Sequence, residues 1–398
     1  MRTRLAAVAA AMASLALASC AAAPAPTGAA TSPPPGTVTP TASVAPSGSD
    51  SAAAGTCTAL AAGLTPERAA GQLFMVGVVD DLDAAERALL VRYSPGSVIL
   101  MGQPGSPDAV KATTAEIARS GGDVPILVAT DQEGGLVQRL KAPGFERIPS
   151  ALDQGRMSDA ELTAAATRWG KQLSDAGVRY ALTPVADVVP ASKRVSNEPI
   201  GKLRRGFGSD PDAVAAKVAA SVKGWRAGGV ATSVKHFPNL GEVTGNTDFA
   251  AGVTDGVTTL DSPALKAFKA GVDAGSQTVM VSTAIYRRID PDAPAAFSAK
   301  VIDGLRDRLS FEGVVISDDL GAAAAVKAVP AGQRGVRFVR AGGDLAITVD
   351  PALLGAMVEG VVDAARSDAA FASRVRQSAT RVLELKADLG LVSCTPVR

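Results

Sequence analysis

The chain has one histidine, His236, in 398 residues, and three cysteines, Cys20, Cys57 and Cys394. That scarcity excludes a His-rich metal site and a four-cysteine zinc site, so no metal or other cofactor is expected. Aromatic residues make up only 4% of the chain. A small pocket therefore fits better than a long polysaccharide cleft lined with stacking rings. There is no basic stripe, and the formal charge of +1 becomes −1 without Arg2 and Arg4. Electrostatics makes no case for nucleic acid. The G-x-S-x-G elbow, the P-loop and H-E-x-x-H are also missing.

What is present begins with an export signal. Arg2 and Arg4 precede an apolar run, Leu5 to Leu17, that is too short to span a bilayer as a helix. The run ends in Leu17-Ala18-Ser19-Cys20, which resembles a bacterial lipobox. The resemblance implies cleavage after residue 19, lipid on Cys20 and anchoring to the outer side of the cell membrane. An ordinary cleavage site is the alternative. Two or more acyl chains hold a protein stably at a bilayer. Residues 20–56 are rich in Ala, Pro, Thr, Ser and Gly and read as an extended tether. Cys57 and Cys394 then bracket the folded region, 57–398. In an oxidising compartment a bridge between them is the simple expectation, with two free thiols as the alternative.

From Cys57 onward, apolar β-type runs alternate with helical patterns. Candidate strands are Leu73–Val79, Ser97–Gly102, Pro125–Asp131, Ala181–Val188, Val230–Phe237, Thr278–Thr283, Gly313–Asp319 and Asp344–Val349. Thr65-Pro66, Ser158 and Ser209-Asp210-Pro211 are helix starts. Near-continuous apolar strands separated by helices indicate a parallel sheet covered on its outer face. Eight such repeats point to an α/β fold of (β/α)8 TIM-barrel type in one domain. An open doubly wound sheet is the rival. It would more comfortably carry a Gly-rich fingerprint after its first strand, and Gly77-Val78-Val79-Asp80-Asp81 is not one.

A barrel places function at the C-terminal ends of its strands, and polar residues gather there. The third strand runs into Asp131-Gln132-Glu133, the fourth passes Pro184 to Asp187, and the fifth ends Lys235-His236. The seventh ends Ser317-Asp318-Asp319. A cation beside an imidazole is costly to bury without partners, so Lys235-His236 reads as a pocket rim. Two carboxylates across a pocket, with no metal ligands and no activated serine, suit glycoside hydrolysis.

Four stretches resemble glycoside hydrolase family 3. Asp131-Gln132-Glu133-Gly134-Gly135 with Val137-Gln138-Arg139 is similar to D-Q-E-G-G-x-V-x-R. Arg205-Gly206-Phe207-Gly208-Ser209-Asp210-Pro211 is similar to R-x-F-x-x-D-P, and Lys235-His236-Phe237-Pro238 to K-H-F-P. Gly313 to Leu320 is similar to G-V-I-x-S-D-D-L. The resemblance runs from about Leu64 to Leu391 and is nearest the single-domain β-N-acetylglucosaminidases that act on peptidoglycan fragments. It implies Asp318 as the nucleophile of a retaining reaction. Asp131, Arg139, Arg205, Lys235 and His236 would hold the sugar. A GlcNAc-containing carbohydrate is the expected partner, and a monomer the expected state.

One loop departs from that branch, where K-H-F-P continues G-H-G-x-x-x-x-D-[ST]-H and the last histidine is the general acid/base. Here Asn246 stands where the orienting aspartate belongs and Asp248 where the histidine belongs; Leu240 replaces the earlier histidine. Thr283 ends the V-S-H motif, and Leu136 stands where an arginine is usual. Asp248 as acid/base is one reading, with Asn246 donating a hydrogen bond to it and Glu242 as fallback. Its pKa would need raising by burial or by the Asp318 charge. A tethered binder of cell-wall fragments that has lost its acid is the other. Transfer to phosphate is disfavoured, because a carboxylate repels the incoming dianion. Trp169 and Trp225 read as core, and Tyr286 as core or pocket lining.

Overall fold

A computed structural model describes residues 54–79, 82–102 and 105–394. Eight parallel strands close into a barrel: β1 (Phe74–Val78), β2 (Ser97–Leu100), β3 (Leu127–Thr130), β4 (Tyr180–Ala181), β5 (Ala231–Phe237), β6 (Thr278–Val281), β7 (Val314–Asp319) and β8 (Leu345–Thr348). Each strand pairs with its neighbours in chain order, and β8 pairs with β1. All eight expected strands are present, so the rival open sheet is excluded. β4 is far shorter than the sequence implies. Pro184 has no N–H to give to a ladder, and pairing resumes only at a single bridge between Val185 and Lys235.

The expected helix starts hold for local reasons. The Thr65 and Ser158 side chains accept from the N–H groups of Arg68 and Glu161, and Glu161 reaches back to Ser158 to complete a capping box. At the third start it is Asp210, not Ser209, that caps, accepting from Ala213.

Two apolar layers result. Met75, Ile99, Leu127, Ala129, Ala231, Met280, Ile316 and Ile347 belong to the barrel interior. Trp169 and Trp225 belong to the layer between strands and helices, with ring centroids 6.2 Å apart. The last helix, Ala369–Asp388, crosses the N-terminal mouth of the barrel. Its Lys386 donates to Gln72 just before β1, and its Arg374 pairs with Asp344 just before β8. Val382 and Leu385 of this helix join the interior layer and plug that end. A Cys57–Cys394 disulfide ties the two ends of the folded region together, as cysteine arithmetic expects. Only the opposite, C-terminal mouth is left for a site. Cys20 and the signal segment lie outside the described residues. None of the described helices is long and apolar enough to cross a membrane.

Candidate active site

A cavity of about 610 Å³ opens at the C-terminal mouth. Asp131, Arg139, Arg205, Lys235, His236, Asp248 and Asp318 all line it. They come from β-strand ends and loops up to 187 positions apart in sequence (from Asp131 to Asp318).

Two irregularities aim the polar groups. Strand alternation normally sends neighbouring side chains to opposite faces. Between β5 and β6 the register slips by one residue at His236, because Lys235 pairs with Met280 and Phe237 with Val281. Lys235 and His236 therefore both reach the cavity, while Phe237 stays in the outer layer against Phe268. Between β7 and β8 the register slips in the same way from Ile316 to Asp319. Asp318 and Asp319 both line the cavity as a result. Bulges of this kind re-aim side chains at the rims of barrels.

Charge compensation explains how such groups are tolerated. Lys235 Nζ lies 2.9 Å from Asp131 Oδ1 and 2.7 Å from Glu133 Oε1. Arg205 grips Glu133 with two donors, Nε and Nη2, both at 2.8 Å. Burial opposes ionisation of Glu133, but the Arg205 and Lys235 charges overcome it and hold the carboxyl far below the usual range. Burial likewise opposes charge on Arg205 and Lys235; their carboxylate partners win, and both pKa values rise. His236 Nδ1 is 2.7 Å from Asp187 Oδ2. A carboxylate only accepts, so Nδ1 carries the proton and Nε2 is left for the cavity. Asp187 also accepts from the N–H groups of His236 and Leu240, which fixes the start of the following loop.

That loop carries Asp248. Asn197 donates to the carbonyl oxygens of Leu240 and Val243. Farther along, the N–H groups of Ala324 and Ala325 donate to Asp248 and Thr247, each at 3.1 Å. The loop is thus secured to the segment that follows Asp318. Desolvation of its carboxyl in the cavity pushes Asp248 up to about 6 although the residue as a whole is exposed, and the Asp318 charge adds to it; Arg205 and His236 pull the other way. Asp319 accepts from the N–H groups of Gly321, Ala322, Ala323 and Val349. It is a structural carboxylate, and burial still raises its pKa.

Two expectations, for Asn246 and Glu242, need correction, and of the two readings of Tyr286 the core one holds. Asn246 does not donate to the Asp248 carboxyl; its Oδ1 accepts from the Asp248 backbone N–H at 3.0 Å, a local turn bond. Glu242 pairs with Lys193 at 2.6 Å and is absent from the cavity wall, so it is no alternative acid. Tyr286 is buried, its hydroxyl donating to the Asn239 carbonyl, and it does not line the cavity. Glu133 and Asp187 went unselected in the sequence. Each is a carboxylate at or just past the end of an apolar strand, which was the available signal. Leu136 points outward and is exposed.

The model of the glycosyl hydrolase family 3 N-terminal domain matches residues 65–385. The chain belongs to glycosyl hydrolase family 3. A relative, the β-hexosaminidase of Stenotrophomonas maltophilia, is 30% identical over 71% of this chain and 84% of its own length. The crystal structure of a β-N-acetylhexosaminidase from Beutenbergia cavernae is similar with a TM-score of 0.77 and 45% identity, covering 81% of this chain and 99% of that one. A family 3 glycosyl hydrolase from Mycobacterium smegmatis is similar with a TM-score of 0.72 and 28% identity, over 81% and 98% of the two chains. The matched residues include all eight barrel strands.

Proposed function

We propose that this protein is a retaining β-N-acetylhexosaminidase that removes terminal GlcNAc from peptidoglycan-derived oligosaccharides. Asp318 attacks the anomeric carbon and its carboxylate oxygen becomes bonded there as a glycosyl ester, the covalent glycosyl-enzyme. Asp248 gives its proton to the departing glycosidic oxygen, so the bond to the aglycone breaks without releasing an alkoxide. In the second half Asp248 takes a proton from water, the hydroxide oxygen bonds to the anomeric carbon, and Asp318 leaves as carboxylate. The observation that supports this reading best is that Asp248 and Asp318, the two carboxylates the reaction needs, line the same cavity. While Asp318 is charged it helps keep Asp248 protonated. Once Asp318 is esterified that charge is gone, and Asp248 becomes the stronger acid its second role as base requires. Asp131, Arg139, Arg205, Lys235 and His236 form the sugar-binding wall, and a cavity of about 610 Å³ suits action at chain ends.

Export, lipid attachment at Cys20 and a position on the outer side of the cell membrane complete the proposal. The Arg2-to-Cys20 pattern supports them, as does a disulfide that persists only in an oxidising compartment.

The test is hydrolysis of an aryl N-acetyl-β-glucosaminide beside a natural disaccharide. Asp318→Asn is expected to abolish both activities. Asp248→Asn is expected to lower disaccharide hydrolysis by about 10²–10⁴-fold, the usual contribution of a general acid, and aryl hydrolysis far less, with azide restoring part of the rate. Wild type as inert as Asp318→Asn, yet binding N-acetylglucosamine, would identify a binder instead.

A further inference from the structure

Four lysines and arginines line the cavity, and their partners divide them. Arg205 and Lys235 are neutralised by Glu133 and Asp131. Arg139 and Lys327 have no carboxylate partner among the described residues. Arg139 has a buried Nε without an acceptor, and it stands on the sugar-binding wall. Lys327 stands elsewhere. Its backbone N–H donates to Ala324, and the Ala324 N–H donates to Asp248. It therefore lines the cavity on the side of the acid. Phe249, the next residue after Asp248, also lines the cavity and is 84% exposed, an unusual setting for a phenylalanine.

A general acid must touch the oxygen of the leaving group. Side chains that flank it on the open side of the pocket thus border the leaving sugar and not the sugar that is attacked. We propose that Phe249 and Lys327 form a subsite for the leaving sugar, and that Lys327 selects an aglycone carrying an anionic substituent. This rests on the hydrolase reading above. Phe249 supplies an apolar face for the pyranose ring of any aglycone. Lys327 supplies a point charge that is rewarded only when the leaving sugar brings a negative group within reach. An unpaired exposed lysine costs nothing in the absence of such a group, so neutral sugars are accepted but not preferred.

The experiment compares three disaccharides with GlcNAc at the non-reducing end: neutral di-N-acetylchitobiose, the same sugar with a lactyl ether carboxylate on the reducing residue, and the same sugar with a sulfate there. Lys327→Met should lower kcat/KM for the anionic substrates relative to chitobiose by about three- to fivefold, the range for a solvent-exposed ion pair. Added salt should erode the wild-type preference and leave that of Lys327→Met alone. Phe249→Ala should raise KM for all three. A loss confined to the lactyl sugar assigns the subsite to a carboxylate, and a loss on both assigns it to negative charge in general. Equal effects of Lys327→Met on all three substrates, or none, overturn the proposal. If wild type cleaves none of them the hydrolase reading fails, and the subsite is then judged by the same comparison of Kd values from calorimetry.

Discussion

The backbone N–H of Ala324 donates to the carbonyl oxygen of Asp248 at 3.1 Å. With the neighbouring bond from Ala325 to Thr247, it joins the loop that presents the acid to the turn that follows the nucleophile strand. Ala323, with φ −58° and ψ 131°, already has the extended geometry that a following proline demands, and Ala324 is the first residue of a 3-10 turn. Ala324→Pro should therefore remove that donor with little other disturbance. Loss of one hydrogen bond of about 1 kcal/mol predicts a drop in kcat/KM of about fivefold on a disaccharide and a nearly unchanged Tm. Steady-state kinetics and thermal unfolding check it.

The pH profile follows from the same carboxyl. Asp248 must be protonated to act as an acid, and it is pushed up to about 6. Disaccharide kcat/KM should fall as pH rises through about 6. Aryl substrates need little protonation, so their profile should stay flatter on that side. Replacing Asp318 by Asn removes a charge that raises Asp248, so the Asp248 pKa should move down in a carboxyl NMR titration.

Glu133 holds two buried cations. Removing its charge in Glu133→Gln leaves Arg205 without its ion-pair partner and Lys235 paired with Asp131 alone. Breaking a buried pair by deleting one partner typically costs about 3–5 kcal/mol, which urea unfolding at pH 7 would register. The folded-state pKa of Glu133 lies well below the unfolded value. The unfolded chain therefore takes up the proton first as pH falls. The stabilisation is present above the ordinary carboxylate range and is lost progressively as pH drops below about 4. Wild type and Glu133→Gln should converge in stability there.

Lys386 is fully buried, and among the described residues its ammonium finds only the Gln72 side-chain oxygen, at 2.7 Å. Burial pulls its pKa down to about 7. Between about pH 7 and the ordinary lysine range the unfolded chain holds more protons, so stability rises with pH across that window. Lys386→Met should stabilise the protein at pH 6 by on the order of 2 kcal/mol, the scale of relieving a poorly paired buried polar group. The advantage should vanish by about pH 10. Denaturant midpoints at the two pH values check it.

The eight strands were legible because each is a near-continuous apolar run between helix signals, a pattern that only a covered parallel sheet satisfies. Asp318 and Lys235-His236 were legible as polar groups ending such runs. Glu133 was not, because nothing local tells a carboxylate that will lie between Arg205 and Lys235 from one that will face water. The same holds for Asp187, whose partner His236 is 49 positions away. Asn246 misled for the opposite reason: its amide satisfies a backbone group two residues on, a bond shorter in range than the one expected of it.

By itself the sequence determined the barrel, the clustering of polar groups at one mouth, and the substitution of Asp248 for a histidine. Those depend on periodicity and motif, which are local. The tertiary structure alone decided which charges neutralise one another, that two bulges turn adjacent side chains into one cavity, and that Asp248 lies on that cavity within the field of Asp318. Those depend on distance through space and on the loss of water, and neither is written in chain order.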